Sequence, residues 1–348
     1  MKKIDENKFI EKYLAYADKN RIPISGTIEI TTNCNFDCLH CYIPEKANKL
    51  TLQKFENYLT QIKSMGCKFL TLTGGEPLTH HDFKKMYVKA YKMGFSITIY
   101  TNASLIDDET IKIFKSYPPR NIDITIYGSS EDTYEKITKR KGSFNTVIEN
   151  IEKLAKNKIN IHLKCTVLKY NYNEISKIKD LASKYSKNFR LDYELMPKTN
   201  LDDEPLNYQV SNKDLKEIEN EPNLKTLQNI KSSSRKSEKI FSCTAGRSSF
   251  VIDSQGEVRI CNFASFISYS LEKYDFNDIW EKYDLIVNKK FDKNDKCYVC
   301  KYKHFCTNCP IKSYYHFKKG ELGLYPINKY CDQAKKSFEN YERLSGEW

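Results

Sequence analysis

The stretch CNFDCLHCY (residues 34–42) places Cys34, Cys38 and Cys41 at the spacing C-x3-C-x2-C, directly after a run that reads as a short strand. Thiolates are soft ligands that select iron–sulfur clusters, zinc or Cu(I). A cubane cluster usually takes four cysteines, so three of them leave one iron open to another ligand. Zinc completed by His40 is the alternative, but His40 and Cys41 are sequence neighbours and point in different directions. The motif therefore favours a cluster with an open iron.

Short apolar runs alternate with helical patterns over the first two-thirds of the chain, which predicts parallel strands joined by helices. The predicted strands are 27–32, 68–73, 95–101, 122–128, 161–168 and 189–195. The first connecting helix begins at a capping Thr51 and ends at Gly66. Similar helices fall near 82–92, 107–116, 143–156 and 174–186. We therefore expect an α/β fold, a partial (β/α)6 barrel of the TIM type with its chemistry at the carboxyl ends of the strands.

The composition of the 348-residue chain is that of a globular protein with room for one large and one small domain. It has no apolar run of about eighteen residues and no signal peptide, so we expect a cytoplasmic protein. Its 12 cysteines then favour metal ligands over disulfides. The net charge of +12 comes from lysines spread among acids, which indicates a solvated surface rather than a nucleic-acid or membrane site. A basic face for an acidic partner peptide stays open.

The second predicted strand ends in TLTGGEPLTHH (71–81), which contains Gly74, Gly75, Glu76 and Pro77. Two glycines let a ligand approach the backbone closely, and a glutamate can accept from an ammonium group. Alone, the segment reads as a turn. Together with the three-cysteine motif, it resembles the radical S-adenosylmethionine (radical SAM) enzymes.

This resemblance implies that Cys34, Cys38 and Cys41 hold a 4Fe-4S cluster. It further implies that the amino and carboxyl groups of SAM chelate the open iron and that the GGEP segment binds the amino group. Such a cluster can inject an electron into the sulfonium of SAM and produce a 5′-deoxyadenosyl radical, which a barrel shields from water.

Other SAM contacts implied by the resemblance lie on neighbouring strands. Asn102, in TNASLI (101–106), matches a Thr-Asn-Gly segment of the family, and Tyr42 follows the last motif cysteine. On the fourth strand the family's Ser-x-Asp-Gly is replaced by a segment that starts at Thr125 and lacks the acid. Either Lys164 or its neighbour Cys165 faces the interior, and an inward lysine could pair with the carboxylate of SAM.

From residue 241 the chain is rich in cysteine. Seven cysteines lie here: Cys243, Cys261, Cys297, Cys300, Cys306, Cys309 and Cys331. Between the first two, DSQGEV reads as a hairpin turn. These spacings resemble the SPASM domain, the auxiliary-cluster extension of radical SAM enzymes that modify peptides and proteins. Only two residues separate Cys306 from Cys309, where relatives usually have three, and the resemblance as a whole runs from about residue 24 to 340.

The SPASM resemblance implies two auxiliary 4Fe-4S clusters. It assigns one of them to Cys297, Cys300, Cys306 and Cys331. It assigns the other to Cys243, Cys261 and Cys309. Because this second set has three ligands, we expect an open iron there as well. A zinc knuckle over 297–309 is the alternative. The remaining cysteines, Cys67 and Cys165, read as core residues.

We divide the chain into five segments on these patterns. They are an N-terminal helix (1–23), the barrel (24–196), a polar bridge with three prolines (197–240), the SPASM domain (241–335) and a C-terminal helix (336–348). Because only about two dozen residues precede the first strand, we expect a separate protein to bind the leader of a peptide substrate, or the bridge to do so.

The resemblance implies an enzyme that acts on a ribosomally made precursor peptide and installs a thioether or carbon–carbon crosslink. Its expected partners are that peptide and an electron donor such as flavodoxin or ferredoxin. A peptide epimerase, a sulfatase (formylglycine) maturase and a tetrapyrrole-modifying enzyme are the alternatives. Asn262 stands where sulfatase-modifying relatives carry an acid, which disfavours that alternative. A cluster carrier would not need the GGEP segment, and a zinc-dependent nucleic-acid binder would not need six βα units. The residues do not identify a catalytic base.

Overall fold

A parallel sheet forms the centre of the protein. The computed structural model describes residues 6–45, 47–211, 214, 238–318 and 322–345. Six parallel strands lie side by side in chain order: β1 (Ser25–Thr31), β2 (Phe69–Gly74), β3 (Ser96–Thr101), β4 (Asn121–Thr125), β5 (Ile161–Thr166) and β6 (Phe189–Asp192). The α/β fold with a parallel core is therefore confirmed. The observed strands lie within a few residues of the predicted ones.

Helices precede, connect and follow these strands. They are α1 (Glu6–Lys19), α2 (Leu52–Ser64), α3 (Phe83–Lys92), α4 (Asp108–Ser116), α5 (Glu131–Thr138), α6 (Ser143–Lys156), α7 (Ile175–Ser183), α8 (Phe276–Val287), α9 (Pro310–Phe317) and α10 (Asn328–Ser345). The predicted cap of α2 is present, since the Thr51 side chain accepts from the Lys54 N–H. The sequence did not predict α5, a short helix that is mostly polar and buries Tyr134 and Ile137.

The two faces of the sheet differ in polarity, as β5 illustrates. Leu163 and Cys165 are buried in the hydrophobic core, whereas Lys164 and Thr166 alternate with them and line a cavity on the other face. A strand places successive side chains on opposite faces, so this alternation identifies the inner face of the barrel. Cys165, 0% exposed, and Cys67, 1% exposed, are core residues as predicted.

Three further strands extend the sheet beyond β1. β7 (Ser249–Ile252) pairs with β1 in parallel, and β8 (Glu257–Arg259) and β9 (Ser268–Ser270) continue antiparallel. The predicted hairpin turn is confirmed between β7 and β8, where the Asp253 carboxylate accepts from two backbone N–H groups. A strand from the cysteine-rich region therefore becomes the seventh parallel strand, which the sequence did not predict.

The structure describes only part of the predicted bridge and of the C-terminal segment. Within the predicted bridge, Glu204–Tyr208 forms a short 3-10 helix, while 212–213 and 215–237 lie outside the described residues. The last helix begins at Asn328, upstream of the predicted boundary at 336. Among the helices described, none is both long enough and apolar enough to cross a membrane. The segment boundaries stay predictions.

The carboxyl ends of β1 and β2 are in direct contact. The Gly75 N–H donates to the Thr31 carbonyl at 2.9 Å, and the Glu76 N–H donates to the Asn33 carbonyl at 2.8 Å. A Cβ atom at Gly74 would lie 2.0 Å from the Thr31 oxygen, and one at Gly75 would lie 2.4 Å from the Asn33 oxygen. The two glycines thus let the GGEP segment pack against the chain that leads into the three-cysteine motif.

This contact predicts that Gly75→Ala destabilises the protein by about 2 kcal/mol or more, because its methyl group meets backbone atoms that cannot move aside. Gly94→Ala is a suitable control. Its φ of +85° gives it a backbone cost of about 1 kcal/mol, but no atom lies within 4 Å of the added Cβ. Urea unfolding compares the two variants. Equal losses of unfolding free energy in Gly75→Ala and Gly94→Ala would show that the close backbone contact at Gly75 is not the cause.

Candidate active site

A cavity of about 670 Å³ opens at the carboxyl ends of the strands, within the size range of small-molecule sites. It is lined by most of the predicted site residues of the barrel: Cys34, Cys38, Cys41, Tyr42, Gly74, Gly75, Asn102, Thr125 and Lys164. Glu76 and Pro77 are not among the lining residues and are buried in the protein. The structure thus brings together nine of the eleven barrel residues that the sequence singled out.

The loop that carries the three cysteines is anchored before Cys34 and again between its cysteines. Before Cys34, it is held by the GGEP contact described above. Between Cys34 and Cys41, the N–H groups of Asp37 and Leu39 donate at 3.0 Å to carbonyls at the end of α5. The Cys34 sulfur accepts from the Phe36 N–H at 3.4 Å. A hydrogen bond to sulfur stabilises the thiolate and tunes the potential of a cluster bound to it.

Glu76 has a fully buried carboxylate that accepts three hydrogen bonds from the protein. One oxygen accepts from the Thr101 hydroxyl at 2.7 Å and the Leu78 N–H at 3.1 Å, and the other from the Asn102 N–H at 2.6 Å. Burial raises its pKa to about 7, against the opposing effect of these donors. All three donors belong to the protein, and the carboxylate does not lie on the cavity wall. Through its hydrogen bonds with Thr101 and Asn102, Glu76 links the end of β3 to the end of β2.

The Asn102 side chain joins the loop after β3 to the cysteine loop. Its amide nitrogen donates to Asn35 at 2.9 Å and points at the Cys34 sulfur at 4.0 Å. Its oxygen accepts from the hydroxyl and the N–H of Ser104, and Asn35 in turn donates to that hydroxyl at 2.8 Å. Three polar side chains therefore form a closed ring beside the first motif cysteine.

Lys164 faces the cavity, which settles the direction that the sequence left open. Its ammonium nitrogen lies 4.6 Å from the centre of the Tyr100 ring. Burial lowers the pKa of Lys164, and the neighbouring Arg190 guanidinium lowers it further. A partly desolvated ammonium group on the wall of a cavity is well placed to pair with a carboxylate of a bound molecule.

Two residues near the motif were missed as site candidates. Glu29 on β1 is buried, and its carboxylate accepts from the Tyr42 hydroxyl at 3.3 Å. Burial raises the Glu29 pKa to about 7, although Arg259 opposes this shift. His40, considered above only as a zinc ligand, lines the cavity beside Tyr127, and burial lowers its pKa to about 4. Glu29 could have been identified from the sequence, because it is an acidic residue within the otherwise apolar strand segment TIEIT.

Cys243, Cys261 and Cys309 lie near one another in the C-terminal region. Burial raises the pKa of the Cys261 thiol to about 12, and the Cys309 and Cys243 thiols raise it further. Cys309 is the residue before α9, and Cys261 follows the β7–β8 hairpin. The two residues after Cys261, Asn262 and Phe263, line the barrel cavity. This group of thiols is therefore next to the candidate site.

The second group of C-terminal thiols lies around the start of α10. Burial raises the pKa of the Cys331 thiol, and the nearby Cys306 and Cys300 thiols add to the effect. Cys297 and Cys300 lie in the irregular segment before a 3-10 turn at Lys303–Phe305. Three of the four cysteines that the resemblance assigns to one cluster are thus neighbours.

The spacing of the thiols fits clusters better than single zinc ions. Tetrahedral zinc holds its thiolates roughly 3.8 Å apart, given a Zn–S bond of about 2.3 Å. Among the described residues, the one group with three potential ligand atoms within 4.8 Å of one another is His80, His81 and Asp82, so no three thiols are that compact. A cubane binds each thiolate to a different iron, which suits the wider spacing.

The fold and the site define an α/β barrel with a three-thiol centre at the ends of its strands. Residues 28–182 match the Radical SAM superfamily, so this part of the chain is a radical SAM domain. The AdoMet-dependent heme synthase of Methanosarcina barkeri is 24% identical over 82% of this chain and 90% of its own length. The subtilosin biosynthesis protein AlbA of Bacillus subtilis is 26% identical over 47% of this chain, which spans only 38% of AlbA.

The overall fold is similar to that of a solved structure, SuiB of Streptococcus suis bound to the precursor peptide SuiA. The two superpose with a TM-score of 0.72 at 17% identity, over 93% of this chain and 80% of SuiB. Because 93% of the chain is covered, the likeness extends beyond the barrel into the cysteine-rich region.

The raised pKa of Glu29 predicts a pH-dependent stability. The folded protein retains a proton that the unfolded chain releases above about pH 4.5. The contribution of Glu29 is therefore complete below about pH 4.5 and is lost as the pH rises through about 7. The loss is on the order of 3 kcal/mol.

Glu29→Gln removes this titration and retains an acceptor for Tyr42. The free energy of unfolding of Glu29→Gln should therefore rise relative to wild type between about pH 5 and about pH 8.5. Chemical unfolding at the two pH values measures this change. If the difference in unfolding free energy between Glu29→Gln and wild type is the same at both pH values, the pKa of Glu29 is not raised by folding.

Proposed function

We propose that this protein is a SAM-cleaving enzyme that oxidatively modifies a ribosomally made precursor peptide, forming a thioether or carbon–carbon crosslink. In this proposal Cys34, Cys38 and Cys41 hold a 4Fe-4S cluster with an open iron. The observation that carries it is the convergence of these thiols, the GGEP glycines and Lys164 on one cavity. When bound, the cluster and SAM supply a 5′-deoxyadenosyl radical that abstracts hydrogen from the substrate.

The other residues of the cavity bind and orient SAM in this proposal. The GGEP segment, Gly74 to Pro77, receives the amino group of SAM, and the Lys164 ammonium pairs with the carboxylate. Tyr42, Asn102 and Thr125 contact the rest of the molecule. The hydrogen-bonded ring at Asn102 supports this assignment, because it holds the site rigid next to Cys34.

Two auxiliary clusters complete the proposed cofactor set. Their ligands are Cys297, Cys300, Cys306 and Cys331 for one cluster. They are Cys243, Cys261 and Cys309 for the other, which keeps an open iron. Crosslinking removes a second electron after hydrogen abstraction. In this proposal the Cys261 set accepts that electron, which is supported by the position of the next two residues, Asn262 and Phe263, on the cavity wall. Cysteines that bind clusters must not be oxidised to disulfides, so we place the enzyme in the cytoplasm, which is a reducing compartment.

The proposal of a peptide substrate is supported by what two similar proteins bind or help to make. SuiB was solved with a precursor peptide, and AlbA takes part in the biosynthesis of a bacteriocin. The expected partners are accordingly the precursor peptide, a separate protein that binds its leader, and flavodoxin or ferredoxin as the electron donor.

A tetrapyrrole-modifying enzyme is the second candidate. The observation in its favour is the heme synthase relative, whose match covers 82% of this chain and 90% of the synthase.

The ligand assignment predicts how iron content responds to substitution. With three equal clusters, replacing Cys34, Cys38 and Cys41 by Ala should remove about a third of the iron, and so should replacing Cys243, Cys261 and Cys309. The control replaces the core cysteines Cys67 and Cys165 by Ala and should keep its iron. Iron analysis after anaerobic reconstitution measures this. Zinc in place of iron, or equal loss from the control, would disprove the assignment.

The proposed reaction predicts a mass change in the substrate. Short peptides encoded beside the gene, each co-expressed anaerobically with the enzyme, should include one that loses two hydrogens. The variant with Ala at Cys34, Cys38 and Cys41 should leave the same peptide unchanged. High-resolution mass spectrometry gives the answer. If every peptide keeps its mass and takes up no solvent deuterium while the enzyme converts SAM to 5′-deoxyadenosine, the peptide proposal fails and the tetrapyrrole candidate replaces it.

A further inference from the structure

A second cavity, of about 600 Å³, lies beside the barrel cavity. We call it the C-terminal groove. Its walls are the segment 195–206, the helix α9 and the first turn of α10. Leu195 and Met196 line both the groove and the barrel cavity, so a single stretch of chain separates the two. A long molecule could therefore occupy the groove and reach the proposed site of chemistry.

The groove combines positive charge with apolar surface. Lys312, Lys318 and Lys329 line it, and Asp203 is the acid among the described lining residues. Apolar side chains lie between them, and two of these, Leu206 and Phe317, are each 37% exposed. Exposed apolar side chains bordered by polar groups are typical of interaction sites.

Two of the lysines lie near Tyr330, whose hydroxyl is hydrogen-bonded to the Glu194 carboxylate. The Lys312 ammonium lies 2.6 Å from a Glu194 oxygen, and the other oxygen of Glu194 accepts from the Tyr330 hydroxyl. The Lys329 ammonium lies over the Tyr330 ring, 5.7 Å from its centre, and the Lys312 ammonium lies 4.6 Å from the same centre. Two half-buried cations beside one tyrosine–carboxylate pair leave an excess of positive charge.

We propose that the C-terminal groove binds an acidic and partly apolar segment of the peptide substrate, whose carboxylate is held by Lys312 and Lys329. This inference rests on the proposed peptide-modifying function and names the type of sequence that the enzyme recognises. The segment lies beside the residue that enters the barrel cavity, because Leu195 and Met196 form the wall between the two sites. A carboxylate from the substrate relieves the repulsion between the two ammonium groups, while the apolar part covers Leu206 and Phe317.

Fluorescence anisotropy on the anaerobically reconstituted full chain tests the groove. The probe is a fluorescein-labelled peptide of repeated Glu-Leu-Gly, and a matched peptide carries Gln at each Glu. The Gln peptide should bind about tenfold more weakly, because charge-assisted hydrogen bonds are lost. Lys329→Gln should weaken binding of the Glu peptide several-fold, whereas Lys329→Arg, which keeps the charge, should bind it like wild type.

Lys156→Gln is the matched control, because it removes one positive charge from an exposed position on α6 and should leave binding unchanged. Iron content shows whether each variant is folded. Equal binding of the Glu peptide by Lys329→Gln and wild type would overturn the inference, and so would equal binding of the Glu and Gln peptides. Binding of coproporphyrin that depends on Lys329, without binding of the Glu peptide, would overturn the peptide assignment.

Production of 5′-deoxyadenosine by the wild-type enzyme is measured separately and tests SAM cleavage alone. An enzyme that cleaves SAM and modifies a peptide, but whose peptide binding ignores Lys329, would refute the groove and leave the proposed function intact. An enzyme that fails to modify any peptide would refute the function whatever the groove binds.

Discussion

The close contact between the ends of β1 and β2 is the constraint on which the site depends. Backbone hydrogen bonds from Gly75 and Glu76 hold the chain before Cys34, and only glycine at positions 74 and 75 permits that approach. The buried Glu76 carboxylate extends the contact to the end of β3 through Thr101 and Asn102. Three strand ends are thereby locked around the cysteine loop. A cofactor bound there would meet a surface that folding has already organised.

Strand β1 also links the three-cysteine motif to the cysteine-rich C-terminal region. β1 precedes the three-cysteine motif and pairs with β7, which leads through the hairpin to Cys261. Buried polar groups bridge this junction, since Glu29 on β1 accepts from Tyr42 and interacts with Arg259 on β8. The Tyr42 ring packs edge-on against Phe263, with 5.1 Å between ring centres. The distance between the motif and the Cys261 set is therefore held by a continuous sheet.

The sequence was sufficient for the features that depend on local patterns. Alternating apolar runs and helical periodicity located the strands and most helices, and the spacing of cysteines identified the site. The sequence did not predict features that depend on which segments pair with each other in the folded protein. The four-residue run SFVI is too short to predict which strand it pairs with. Its parallel pairing with β1 is visible only in the folded structure. The orientation of Lys164 depends on the register of β5, and the burial of Glu76 depends on donors that come from a different strand.

The measurement that tests the central claim most directly is low-temperature electron paramagnetic resonance of the reduced, reconstituted enzyme with and without SAM. If Cys34, Cys38 and Cys41 hold a cluster with an open iron, SAM changes the signal of one cluster. Replacing the three cysteines by Ala should abolish this change while the other cluster signals remain. A wild-type spectrum that SAM leaves unaltered, or a variant that responds to SAM like wild type, would contradict the account.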